Sequence, residues 1–370
     1  MIYLDNGATT FPKPKCVYDA ITKANTDFAF NAGRGSYNAS KNTMHQIDEA
    51  RSNIASFINA NSNNVIFTSS ATEALNSIAS GICISENDNV FVSPFEHNSV
   101  IRTLVGHKAN IHIIPFDKNT WALNEKEFAD MLAINKPKAV FVSHISNVTG
   151  YILPYEKIFE IASKYNTINV LDCAQSYGII NPSINNINYI VFAGHKSLYA
   201  TFGVGGFIKL KNDTLNTFMF GGTGSDSLNT DMPTNMPEKY EAGSHNSVAI
   251  SILNTSIKWL KENDIYKDES KLTKYLIEEL EKNSKIRIFI PKDKNIFGIV
   301  SFAIDNYDSN DVASILNEEY DICVRSGYHC APYIHDFIGS IQYGGTVRVS
   351  VGAFNTIDDI NNLIEALKTF

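Results

Sequence analysis

The sequence predicts an α/β protein: a large, mainly parallel seven-stranded sheet domain followed by a smaller α+β C-terminal domain. Three observations carry that expectation. A chain of 370 residues exceeds what one hydrophobic core usually supports. Short β-rich apolar runs alternate with helical patterns over the first two hundred or so residues. After the glycine-rich loop FGGTGSDS the pattern changes to long helices and then to further strands. In order, the first runs are NVIFT (64–68), NVFVS (89–93), NIHIIPF (110–116), KAVFVS (138–143), INVLD (168–172), NYIVFAG (188–194) and VGGFIKL (204–210). Their near-continuous apolar character suits strands covered by helices on both faces. Two helices follow, at about 246–261 and 264–283, then the strand candidates IRIFI, GIVSFAI, DICVR and TVRVSV, with helices near 308–319 and 356–369. The division this suggests is an N-terminal arm (1–14), a large domain (15–245) and a small domain (246–370).

Composition narrows the function classes. The formal net charge is −8 and no block of Lys or Arg occurs, which argues against nucleic acid and against anionic membrane surfaces. Small molecules and other proteins are the expected partners. The five cysteines (Cys16, Cys83, Cys173, Cys323 and Cys330) lack metal-type spacing and suggest neither a disulfide framework nor a metal site. A reduced, cytoplasmic setting is expected. The start MIYLDNGATT has no basic segment leading into an apolar one, and no run is long enough to span a bilayer.

Open parallel sheets bind ligands at the carboxyl ends of their strands. The polar residues of interest follow such ends: Thr68–Thr72, Glu96–His97, Asn147, Asp172–Gln175 and His195–Lys196. Asp172 and, 24 positions later, Lys196 would present a carboxylate and an amine to one crevice. A lysine there can form a Schiff base, and a buried carboxylate can keep a ring nitrogen protonated, the pairing that pyridoxal phosphate needs. An ordinary salt bridge between strand ends is the alternative. In TSSATEALN a strand runs straight into a helix whose free N–H groups and small hydroxyls could hold a phosphate, while Ser70 or Thr72 could simply cap it. His97 could stack on a flat ring or be a hydrogen-bonded structural residue, and Asn147 and Gln175 offer amides to a cofactor or a substrate carboxylate. Cys330, in RSGYHCAP, is either a working thiol or one more small apolar residue.

The segments YLDNGATT, TSSATEALN, FEHNS, SNVTG, LDCAQS, GHKS, YEAGSHN, RSGYHCAP and VRVSVGAFNT occur in the order found in class V pyridoxal-phosphate enzymes. Together they resemble the cysteine desulfurase / selenocysteine lyase branch over essentially the whole chain. The resemblance implies the fold type I architecture and pyridoxal 5′-phosphate as cofactor. It implies that Lys196 is the Schiff-base lysine and proton carrier, that Asp172 pairs with the pyridine nitrogen, that His97 stacks on the ring and that Gln175 contacts the ring oxygen. Thr72, the amides beside Ala71, and His195 would hold the phosphate, with Ser244 reaching in from a second subunit of a homodimer with shared active sites. Arg348, with Asn147, would bind the substrate carboxylate, and Arg34 resembles an inter-subunit residue near the site. A structural or surface role for Arg348 is the alternative.

Cys330 matches the nucleophile that takes sulfur from the substrate, its thiolate favoured by His329, Arg325 or the cofactor-bound substrate, while Cys16, Cys83, Cys173 and Cys323 are read as buried small apolar residues. L-Cysteine or L-selenocysteine is the implied substrate, and a sulfur-acceptor protein the implied partner. Three departures from the family pattern stand out: Ala193 before the GHK glycine, the loop SLYATFGVGG after it, and Tyr328 where one subgroup has histidine. Two other readings remain: an aminotransferase or another pyridoxal-phosphate lyase with Cys330 a bystander, and a non-catalytic interaction scaffold that keeps the fold.

Overall fold

A computed structural model describes residues 1–33, 35–224 and 228–370. Arg34 and the Ser225–Ser227 end of the FGGTGSDS loop lie outside the described residues. The chain opens with β1 (Ile2–Tyr3), α1 (Lys15–Asp27) and α2 (Asn38–Ser56). It continues through β2 (Val65–Thr68), α3 (Ala71–Gly81), β3 (Asn89–Val92), α4 (Asn98–Gly106), β4 (Asn110–Ile113), α5 (Glu125–Asn135), β5 (Ala139–Ser143), α6 (Tyr155–Ala162), β6 (Ile168–Asp172), β7 (Tyr189–Ala193) and β8 (Gly205–Lys209). All seven apolar runs of the first part are strands of one sheet, in the order β2-β8-β7-β6-β5-β3-β4.

Strands β3 to β7 pair in parallel, and β8 runs antiparallel to both of its neighbours, β2 and β7. Every residue of β5, β7 and β8 is buried, as expected of central strands covered on both faces. The register is level at the carboxyl ends: Ser143 lies opposite Asp172, and Asp172 opposite Val191. The segments that follow β5, β6 and β7 therefore emerge side by side. Gly205 in β8 lets the start of α3 sit on the sheet. A Cβ there would lie 2.7 Å from the Ser70 carbonyl carbon and 2.8 Å from the Ala71 nitrogen.

The rest of the chain forms α7 (Ser247–Glu262), α8 (Ile265–Leu280), β9 (Ile286–Ile288), β10 (Ile299–Ile304), α9 (Ser309–Tyr320), β11 (Ile322–Cys323), β12 (Arg325–Gly327), α10 (Ile334–Ile338), β13 (Thr346–Ser350) and α11 (Ile357–Leu367), and four of these strands make the second sheet. Its antiparallel order is β12-β13-β10-β9. The run DICVR, expected as one strand, is two. Ile322–Cys323 pairs in parallel with β1, and Arg325–Gly327 pairs with β13, because the start of the chain supplies a strand of its own. Leu4 is buried with Leu276, Phe302 and Val349 in the core of this smaller sheet. Helix α7 instead packs on α1 and α2, and Leu253 and Ile257 join the core of the larger one.

The turn before α7 is tied to the large sheet by a buried ion pair. Arg51 of α2 donates through both terminal nitrogens to Glu241, whose Oε1 also accepts from Phe67 N (2.6 Å) and whose Oε2 bonds His245 Nε2 (2.6 Å). Burial alone would raise the Glu241 pKa, but the Arg51 charge and these bonds bring it below its ordinary value. Removing one partner of such a pair strands the other charge in a poor solvent. Glu241→Gln should therefore cost about 3 kcal/mol or more of unfolding free energy at pH 7, read as a lower urea midpoint. The loss should shrink in acid, where the native carboxylate is protonated and its contribution is gone.

Candidate active site

Five strand ends deliver side chains to one cleft of about 690 Å³, lined among others by Ala71, Thr72, His97, Asn147, Asp172, Gln175, His195 and Lys196. At one end α3 begins. Ser70 is its N-cap, accepting from Glu73 N (3.2 Å), and Ser69 binds Glu73 Oε2 through both N and Oγ. The amides of Ala71 and Thr72 belong to the first turn, where a helix has no internal partners for its N–H groups. Both residues face the cleft. Beside them His195 Nδ1 is buried with no partner, and Ala193, which replaces a hydroxyl residue of the resembling family, is buried in the same wall.

Along the floor, Asp172 closes β6 and accepts from Ala174 N (2.9 Å). Burial pushes its carboxyl above the usual range, and burial pushes the Lys196 amine below its own, each opposed by the charge of the other. Among the described residues the Lys196 Nζ bonds no protein group. His97 is the N-cap of α4, its Nδ1 accepting from Ser99 N (3.0 Å). That bond leaves the proton of the neutral ring on Nε2. Burial, with the nearby Lys196 charge, lowers the His97 pKa to about 3, and burial lowers that of His195 to about 4, so both rings are neutral at physiological pH. Gln175 Nε2 donates to Gly7 O (2.8 Å), which ties the amide to the N-terminal arm.

At the far end, Arg348 of β13 is 1 % exposed, yet it carries an ion pair. It donates from Nη1 to Asn147 O (2.8 Å) and from Nη2 to Asp5 Oδ1 (2.5 Å). The Asn147 side chain donates to His329 O (2.8 Å) and keeps a buried Oδ1 without a partner. Cys330 is solvent-exposed. It sits with His329 in a turn closed by Ala331 N to Tyr328 O (3.0 Å), both central residues having positive φ, +46° and +57°. Such angles are uncommon for side-chain-bearing residues and mark a turn held from outside. Asn98 N at the start of α4 donates to Cys330 O (2.6 Å), and Arg325 Nη2 lies 3.4 Å from Cys330 Sγ.

Several expectations change. His329 is buried against Thr346, its Nε2 2.9 Å from the hydroxyl, so its ring serves the sheet and not the thiol. The expectation for Ser244 concerns a second subunit and is not among these: within its own chain it lines a neighbouring cavity with Ser69 and Glu73. Of the cysteines read as buried, only Cys173 is. Cys83 is exposed in the turn after α3, and Cys16 and Cys323 are partly exposed. The sequence shows Glu96 after a strand end and gives it no role. It is wholly buried and accepts from Ser93 Oγ (2.5 Å), Ser143 N (2.7 Å) and Ser143 Oγ (2.7 Å), clamping the ends of β3 and β5 beside His97. Its place between two strand-end serines was the available signal.

The aminotransferase class-V family model matches residues 2–363. This chain belongs to the aminotransferase class-V family. It is 32% identical, over 99% of its length and 94% of the relative's, to a probable cysteine desulfurase of Methanothermobacter thermautotrophicus. It is 31% identical to one of Vibrio cholerae, over 99% and 93% of the two chains. The apo structure of a cysteine desulfurase from Thermococcus onnurineus NA1 superposes with a TM-score of 0.89 at 29% identity, over all of this chain and 94% of that one. The family's cofactor is pyridoxal 5′-phosphate, and the cleft fits it. It holds an amine free of protein bonds, a buried carboxyl beside it, unpartnered buried atoms on His195 and Asn147, and a helix start for an anion.

Glu96 supplies a test of the cleft wall. Burial raises its pKa to about 8. A native group raised in this way holds a proton that the unfolded chain has lost, so its contribution fades as pH rises from about 4.5 to 8. Glu96→Gln cannot lose that proton. Its stability relative to the parent should climb by up to about 1.4 kcal/mol per pH unit across that window, measured as urea midpoints at pH 5 and pH 8. A difference that does not change with pH would mean that Glu96 is ionised in the native state.

Proposed function

We propose that this protein is a pyridoxal-5′-phosphate-dependent cysteine desulfurase that converts L-cysteine to L-alanine and collects the sulfur as a persulfide on Cys330, with L-selenocysteine as a related substrate. The observation that carries the reading is an exposed thiol in a left-handed turn whose carbonyl is bonded by Asn98, next to the His97 that lines the same cleft as Lys196 and the buried Asp172.

Bound pyridoxal phosphate supplies an electron sink for negative charge developing at the substrate α-carbon. Lys196 holds the cofactor in the resting enzyme and, released from it, moves the α-proton on its Nζ. The lowered basicity that burial imposes on this amine suits that task. Asp172 keeps the proton on the ring nitrogen, because a cation set against a buried carboxyl favours its ionised form. His97 would cover the ring as a neutral imidazole, and Gln175 would face the ring oxygen. The Ala71 and Thr72 amides with His195 hold the phosphate, and Arg348 and Asn147 orient the substrate carboxylate.

The Cys330 thiolate then attacks the substrate sulfur. An S–S bond forms as the Cβ–S bond breaks, the electron pair of that bond stays on the carbon skeleton, and the skeleton takes up protons to leave as alanine. Arg325 Nη2 lies 3.4 Å from Sγ, in contact with the attacking atom. The persulfide passes its outer sulfur to a thiol of an acceptor protein. A homodimer completes the site, with Ser244 of each chain serving its partner. No helix among the described residues is long and apolar enough to cross a membrane, in keeping with a cytoplasmic enzyme.

Peptide mass spectrometry after mixing the cofactor-loaded protein with L-cysteine, without reductant, should find one added sulfur on Cys330 together with released alanine. An unmodified Cys330 with formation of pyridoxamine phosphate and a keto acid would make the protein an aminotransferase instead. Cys330→Ser should lower L-cysteine turnover by more than about a thousand-fold while the cofactor band remains. Lys196→Ala should abolish both turnover and the borohydride-fixable band, and turnover surviving in that variant would defeat the assignment.

A further inference from the structure

We propose that Asp5, in the N-terminal arm, is a positioning residue for recognition of the substrate carboxylate: it holds the Arg348 guanidinium so that the Nε–H stays free of protein partners. The inference rests on the reading of Arg348 as the carboxylate-binding group. Arg348 is buried in the middle of β13, and directly opposite it on β12 stands a second arginine, Arg325. Like charges facing each other across a strand pair repel, and a buried guanidinium without a counter-charge is costly. Among the described residues Asp5 supplies the one carboxylate within 4 Å of Arg348, and none lies that close to Arg325.

The three guanidinium nitrogens are used unequally. Nη1 is spent on Asn147 O, Nη2 bonds Asp5 Oδ1, and Nε is buried with no partner. A guanidinium binds a carboxylate through two parallel N–H groups. Nε–H is the donor left for a ligand. The Asp5 carboxylate and the Asn147 carbonyl hold the other two nitrogens and so fix the direction in which it points.

Asp5 is itself held by backbone. It bridges Ser350, and its carbonyl accepts from Tyr3 Oη (3.1 Å) and Ala8 N (3.0 Å). Two residues on, a Cβ at Gly7 would stand 3.4 Å from Arg348 Cζ, so the arm runs against the guanidinium itself. This arm is therefore a wall of the carboxylate subsite, and substrates lacking a carboxylate forgo what Asp5 organises.

The test compares binding of L-alanine with that of ethylamine, the same amine without the carboxylate, read from the change in cofactor absorbance of the holoenzyme. In the parent, L-alanine should bind far more tightly. Asp5→Ala should cut the preference for L-alanine by about ten-fold or more, the scale of a hydrogen bond to a charged group. Asp5→Asn, which keeps an acceptor oxygen but not the charge, should cut it less, and it decides alone if the alanine variant fails to fold. Equal weakening of both amines, or no change in either variant, would overturn the proposal, since a merely structural role moves both together. Arg348→Gln run in parallel separates the two levels. A preference that collapses there but survives at Asp5 rejects only the role of Asp5, whereas a preference untouched by Arg348→Gln rejects the clamp and Asp5 with it.

Discussion

The level register of the parallel strands is the constraint on which the rest of the site depends. Backbone hydrogen bonds set Ser143 beside Asp172 and Asp172 beside Val191. A slip of one residue would turn each strand's side chains to the opposite face of the sheet. The carboxyl of Asp172 and the amine of Lys196 would then no longer share a crevice. Glu96 reinforces the register where it matters, bonding the turn after β3 to the last residue of β5. The glycine at 205 works at the other border of the sheet, allowing the first turn of α3 to rest on β8.

Burial sets the chemistry of what those strand ends deliver. Out of water, an amine binds its proton less tightly and a carboxyl binds its own more tightly, and Lys196 and Asp172 are displaced in those opposite senses. The same desolvation keeps His97 and His195 neutral, so neither ring brings a positive charge to the cleft. Beyond Lys196 and Asp172, positive character stands in the open first turn of α3 and in Arg348, which bonds the carbonyl of the cleft-lining Asn147. An elongated ligand with an anionic group at each end suits that distribution.

The first ten residues connect these parts. Asp5 meets Arg348, the Gly7 carbonyl meets Gln175, and Thr9 Oγ1 and Thr10 N meet the carbonyl of His195. One short segment thus touches Arg348, Gln175 and His195, while β1 pairs with β11 beside the smaller sheet. The segment links Arg348 of the smaller sheet to Gln175 and His195, which follow strands of the larger one.

Much of this was legible in the sequence. The seven apolar runs were strands because a strand buried on both faces writes itself as a continuous apolar run, and the polar residues after them lined the cleft because parallel strands share a direction. Asp172, Lys196, His97 and His195 could be picked out for that reason. What the sequence alone left open depended on contacts between distant segments. The bond from Asp5 to Arg348 spans 343 positions and leaves no periodic trace. The division of DICVR followed from the pairing of its first half with the opening residues of the chain. The turn at Cys330 takes its left-handed angles where Asn98 and Asn147, far away in sequence, bond its carbonyls. Local propensity and hydrophobic pattern determine which elements form and which end of the sheet is chemically equipped. Only tertiary structure decides which charge faces which, because that depends on distances through space that a one-dimensional pattern does not encode.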